Sequence, residues 1–190
     1  MTVPQLRDSL ALHAVLCAVF FLLYLACFKL NTWLFSSQIY TQGVAWVFLP
    51  AGIKLLAVMV GGWWGLLGVA AAGLWIADTE VWTGGDWIAH LGNIVVWLVI
   101  PFVALQPVFR WWQLKPDLSN LTFHRLFVIN AVFTAVSAVG TSAYAWWVYE
   151  RRDADFVATS IAMSFGDFVG TLLVMGAILV AVLALERSRV

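Results

Sequence analysis

Apolar residues run through this chain in long unbroken blocks, separated by short polar or glycine-rich breaks, at residues 10–30, 44–60, 64–77, 87–109, 126–149 and 156–185. A helix needs ~20 apolar residues to cross the hydrocarbon of a bilayer. The pattern therefore predicts one all-α domain over residues 1–190, a polytopic transmembrane bundle of about six helices. Gly61-Gly62-Trp63-Trp64-Gly65 predicts a tight turn between the second and third blocks. Pro50 falls inside the second block, and Pro101 and Pro107 fall inside and near the end of the fourth. Residues 31–42 are semi-polar and aromatic, too short to span, and suit an interfacial turn or a partly re-entrant lid. The first block exceeds the length of a signal-peptide core, and no clear small-x-small cleavage site follows it, so it is expected to be a retained helix.

Composition agrees with the pattern. The chain is 63% hydrophobic and 11% charged, against about 25% charged residues in soluble domains. Such a chain cannot cover its own surface in water, so the lipid bilayer is its expected partner. Ten basic and ten acidic residues cancel, and no overall basic face suggests nucleic acid. Twelve Trp suit the membrane interfaces, where indole rings concentrate. Arg7, Arg110, Lys115, Arg125, Arg187 and Arg189 would share one side of a six-helix chain. Lys29, Arg151 and Arg152 would lie opposite, diluted by Asp78, Glu80, Asp86, Glu150, Asp153 and Asp155. The positive-inside rule then places both termini in the cytoplasm, with an acidic outer face.

Candidate chemistry is confined to a few polar groups within the apolar blocks. Lys54 and Asp167 lie about ten and eleven residues into two helices that descend from the same side, so their depths match. An unpaired charge in hydrocarbon is costly, and three arrangements are open. The two charges form a buried pair that fixes packing, or they bind a ligand or ion. Alternatively they never meet, and Lys54 snorkels or lines a wet cavity alone. Pro50 and Gly52 adjoin Lys54, and a proline inside that helix would free a carbonyl near Trp46. Gly166 and Gly170 flank Asp167 in a GxxxG element, which allows close backbone approach. Gly68 and Ala72 repeat the small-xxx-small spacing.

Asp86, His90 and Asn93 fall at helical spacing and could line an outer vestibule. Two ligands at i, i+4 make a poor metal site without a third, and no metal or other cofactor is expected. Thr134, Ser137, Thr141 and Ser142 are expected to bond carbonyls of their own helix, and Asn130 to bridge helices. His13 suits a core or interface position. Trp111, Trp112, Lys115 and His124 form a modest basic, aromatic patch suited to anionic headgroups. Cys17 and Cys27 are ten residues apart on one helix, ~15 Å, beyond disulfide reach. No nucleophile elbow, phosphate loop, catalytic carboxylate pair or cysteine cluster occurs, so nothing argues for an enzyme.

Two strings carry a family resemblance. Trp46-Val47-Phe48-Leu49-Pro50-Ala51-Gly52-Ile53, followed by Gly61-Gly62-Trp63-Trp64-Gly65-Leu66-Leu67-Gly68, is similar to the start of the bacterial membrane-associated sensor domain of the first type. Phe165-Gly166-Asp167-Phe168-Val169-Gly170 resembles that family's second recurring element, Gly-Asp-x-x-Gly. They fall along the chain in the family's order. The family sits upstream of histidine kinases and diguanylate cyclases in the bacterial inner membrane, so the resemblance implies a sensor that passes its signal to a partner. The family usually has about eight spans and a cytoplasmic output domain, which this chain lacks room for, and Lys54 is not part of its pattern.

Three functions fit these features. The first is a sensor-like module coupling a small ligand or membrane signal to a partner membrane or signalling protein. The second is the substrate-binding membrane component of a vitamin or metal importer, with Gly65, Gly68 and Ala72 as a surface for an energising subunit. The third is an accessory subunit of a larger membrane complex.

Overall fold

The computed structural model describes residues 3–37, 39–41, 44–77, 87–115, 118–148 and 155–187. Its first helix, α1, covers Val3–Phe35 and is followed by a small antiparallel ribbon, β1 (Ile39–Thr41) against β2 (Val44–Ala45). The region expected as an interfacial turn or lid is therefore the last turn of α1 plus this ribbon. The chain then stays non-helical until α2 (Pro50–Leu56), which passes through a π-helical turn at Ala57–Gly61 into α3 (Gly62–Ile76). Helix α4 (Trp87–Ile94) similarly passes through a π-helical turn at Val95–Val99 into α5 (Ile100–Trp111). Two long helices, α6 (Phe123–Val148) and α7 (Phe156–Arg187), complete the bundle.

Five helical stretches are long and apolar enough to cross a membrane: Leu10–Phe35, Pro50–Ile76, Trp87–Trp111, Phe123–Val148 and Phe156–Ala181. The chain is a multi-pass helical membrane protein, and the expected count of six is corrected to five. The blocks at 44–60 and 64–77 belong to one stretch, for a physical reason. Val44, Trp46, Val47 and Phe48 are β-branched or aromatic and favour extended backbone. That leaves only about 12 helical residues, ~18 Å, before Gly62.

Residues 50–76 do not form a straight rod. Gly62 has φ +52° and ψ −136°, a backbone state open essentially to glycine. Past it the chain doubles back, so that a Cβ on Gly65 would come within 2.6 Å of the Ala57 carbonyl oxygen. Asn31 meets Leu49 and Phe20 meets Gly61, so α2 runs antiparallel to α1. His13 stacks on Trp64, and Cys17 packs against Gly68, so α3 runs parallel to it. The tight turn expected at Gly61–Gly65 is thus present within the second stretch. Because that stretch reverses, the beginning of α1 and the end of α7 lie at the same end of the bundle.

Pro50 is not in a helix interior. It occupies the first turn of α2, where a missing N–H costs no intrahelical bond, so no carbonyl is freed near Trp46. A proline does lie within the α4–α5 stretch at Pro101, four residues after Trp97, whose carbonyl accepts a hydrogen bond from Ser137 Oγ at 3.0 Å. The core gathers Leu55, Val69, Leu98, Leu105, Ile129 and Phe133, all fully buried, where α2, α3, the α4–α5 stretch and α6 meet.

The GxxxG element serves an unexpected partner. Added Cβ atoms on Gly166 and Gly170 would collide with the carbonyl oxygens of Ala45 and Phe48. The two glycines therefore admit the extended backbone before α2, not another helix. The Phe48 N–H donates to the Gly166 carbonyl at 3.1 Å. Gly176, two turns further along α7, has nothing within 4 Å of where a Cβ would stand. Gly170→Ala is expected to destabilise the protein by more than about 2 kcal/mol through overpacking, whereas Gly176→Ala gains up to ~1 kcal/mol of helix propensity. Thermal unfolding of both variants in lipid nanodiscs checks the contrast.

Candidate functional site

The site is built where the non-helical segment 46–49, the α2–α3 hairpin and α7 converge. Asn31, near the end of α1, accepts the Leu49 N–H on its Oδ1 at 2.8 Å. This bond sets where the chain enters α2. Close approach to α7 continues one turn on, where a Cβ on Gly52 would lie 2.6 Å from Val174 Cβ. Gly52, Gly166 and Gly170 thus set the distance between the two elements, and that distance lets the next side chain reach across.

That side chain is Lys54. Its Nζ donates to Asp167 Oδ2 at 2.9 Å, with both side chains 2% exposed. Of the three arrangements open to the two charges, the structure has them paired. The ammonium also lies 5.1 Å from the centroid of the Trp97 ring and 5.6 Å from that of Phe48. Aromatic faces attract a desolvated cation, so the rings offset part of the cost of removing Lys54 from water. Trp97 is held by Tyr24, stacked on it at 6.0 Å, and by Gly73, which leaves room for its ring. Tyr24 is itself buried.

Both π-helical turns border this centre. Lys54 lies three residues before Ala57–Gly61, and Trp97 sits in the middle of Val95–Val99. π-Bulges in helices are found mostly at functional positions. On α7 the backbone beside Asp167 is bonded from two sides. Thr171 Oγ1 donates to the Asp167 carbonyl at 2.8 Å, and Asn130 Nδ2 on α6 donates to the Phe168 carbonyl at 3.2 Å. Sequence reasoning missed Trp97, Phe48, Tyr24 and Asn31 as members of the site. Trp97 carried a usable signal, an indole mid-block far from either predicted interface, but ring contacts across helices have no signature in sequence.

The other candidates are placed elsewhere. His90 is buried on α4, and Asn93 on the same helix is half-buried. Asp86, expected with them in an outer vestibule, lies outside the described residues. Beside His90, the Tyr144 hydroxyl donates to the Ala89 carbonyl at 2.8 Å and sits against Gly92. Among the described residues no three His, Cys, Asp or Glu side chains converge as metal ligands would. Gly65, Gly68 and Ala72, the expected surface for an energising subunit, are buried and engaged within the hairpin and against α1. On α6, Thr134 bonds the Asn130 carbonyl of its own helix at 2.9 Å. Ser137 instead reaches Trp97 on the neighbouring helix, and Thr141 and Ser142 have no partner for their buried hydroxyl oxygens. The expectation of four hydroxyls bonded to their own helix is met by one of them.

No protein-family model, curated protein or solved structure matches this chain. Removing one partner of a buried pair strands the other charge, at about 3–5 kcal/mol. Lys54→Met is expected to cost that much, and Lys54→Met with Asp167→Leu to recover most of it. Equilibrium unfolding of the two single variants and the double variant measures this coupling.

Proposed function

We propose that the chain is a sensor-like module of a bacterial inner membrane, with both termini in the cytoplasm, coupling a small ligand or membrane signal to a partner membrane or signalling protein. One observation carries this reading. A fully buried, ring-capped ion pair joins a doubled-back helical hairpin to α7, and a π-helical turn borders it on each side. A buried pair is weak as a source of stability, since apolar residues of similar size serve as well or better. It is well suited to distinguishing two packings, because a state in which the charges part must hydrate or re-pair both of them. The pair therefore acts as a latch between the hairpin and the helix that leads out at the C-terminal end.

The resemblance to the bacterial membrane-associated sensor family supports the same reading from another direction. Its two elements, Pro50-Ala51-Gly52 and Gly166-Asp167-Phe168-Val169-Gly170, are far apart in sequence. Gly166 and Gly170 of the second seat the backbone of Ala45–Leu49, which leads into the first, and Gly52 of the first meets Val174, one turn past the second, with the latch between them. An element pair maintained for signalling would be expected to meet in this way.

A latch has two positions, and that is measurable. Spin labels at Val60 and Leu179, both exposed, report the separation of the hairpin tip from α7. In nanodiscs the native pair is expected to give one dominant distance, and Lys54→Met with Asp167→Asn a second, longer population. One unchanged distance distribution in the variant would sink the latch and leave the pair a packing device.

A further inference from the structure

Four buried side-chain oxygens among the described residues have no hydrogen-bond partner: Asn130 Oδ1, Thr141 Oγ1, Ser142 Oγ and Thr159 Oγ1. Natural proteins rarely leave such atoms unsatisfied, and bound water is the usual partner. Three of the four lie on α6, two of them in line with the partnered hydroxyls of Thr134 and Ser137. Asn130, Thr134, Ser137 and Thr141 recur at intervals of four, three and four residues, which puts them in one line along α6. Ser142 is adjacent to the end of that line. Asn130, Thr134 and Ser137 are each no more than 1% exposed, and Ser142 is 6% exposed.

The line has two distinct ends. Asn130 touches the Phe168 carbonyl, one residue from Asp167, while Ser137 bonds the carbonyl of Trp97, whose ring covers Lys54. At the other end, Thr141 and Ser142 approach the finish of α6 at Val148. There α7 begins at Phe156, bringing Thr159 to the same end of the antiparallel α6–α7 pair. From Asn130 to Ser142 is ~18 Å along the helix. The partnered and unpartnered oxygens together form a polar ladder inside an otherwise apolar bundle.

We infer that α6 carries a file of bound water, held by Asn130, Thr134, Ser137, Thr141, Ser142 and Thr159, that joins the Val148 end of the bundle to the neighbourhood of the Lys54–Asp167 pair. The ligand is water itself. Its effect is to give a pair closed off by rings and glycine contacts a route to solvent from one end only. Waters along this route would satisfy the four stranded oxygens. They would also provide the hydration that the two charges require whenever they separate. The inference does not depend on a signalling role, since a packing pair could be reached in the same way.

Hydrogen exchange tests it directly. With asparagine and phenylalanine labelled by nitrogen-15, the full chain in nanodiscs is transferred into deuterated water, and the Asn130 side-chain amide and Phe133 backbone amide are followed by NMR. Asn130→Leu identifies its signal. A water file predicts that this fully buried amide exchanges well ahead of the backbone amide of Phe133, one turn away in the same helix. It also predicts that Thr141→Val with Ser142→Ala slows that exchange several-fold and lowers Tm by about 2–4 °C for each kcal/mol of hydration lost. Exchange of Asn130 no faster than Phe133 overturns the inference, and this comparison needs no variant. An unchanged exchange rate or a raised Tm in the double variant also overturns it, because the hydroxyls would then be dry or bonded to their own helix.

Discussion

Everything distinctive in this bundle follows from having to bury one ammonium beside one carboxylate away from water. The Lys54–Asp167 pair cannot be satisfied by hydrocarbon, and an isolated charge there would cost several kcal/mol. Close approach of α2 to α7 is therefore required, and three glycines permit it. Two aromatic rings complete the shell around the ammonium, and each ring is positioned by further contacts. Phe48 belongs to the segment seated on Gly166 and Gly170, and Trp97 is held by Tyr24, Gly73 and Ser137.

The same requirement explains why the backbone departs from straight helix at these points. Residues 46–48 stay outside the helix, so the Phe48 N–H meets the Gly166 carbonyl and the Phe48 carbonyl lies against Gly170. Irregular backbone within a membrane protein is tolerated only where protein or water satisfies it, and here Asn31 and the Gly166 carbonyl do so. The α4–α5 stretch follows the same rule on the other side of the site, where Ser137 donates to the Trp97 carbonyl four residues before Pro101. Polar side chains on α1 and α6 thus compensate for irregularities on their neighbours, which ties the site to all five helical stretches.

Sequence logic was reliable where it rested on composition and length, and it failed where it rested on an assumed helix. Apolar blocks identified the bundle, and Lys54 and Asp167 stood out because charges are rare among such residues. The misreading of residues 44–49 as helix arose because Val, Trp and Phe suit a buried helix as well as a buried strand. That one error moved Pro50 into a helix interior and turned one folded-back stretch into two crossings. GxxxG was recognised as a close-approach element, but its partner was an extended segment rather than a helix, and a glycine pair does not specify which.

By itself the sequence determined the solvent, the helical class and the two charges that had to be resolved, because transfer free energies depend on residue type and run length alone. Only the tertiary structure decided that those charges meet, that Gly62 reverses the chain, and that α6 buries three oxygens without partners among the described residues. Each of those outcomes depends on which backbone lies opposite which side chain. That is a matter of distance and direction between helices, and the order of residues along the chain does not carry it.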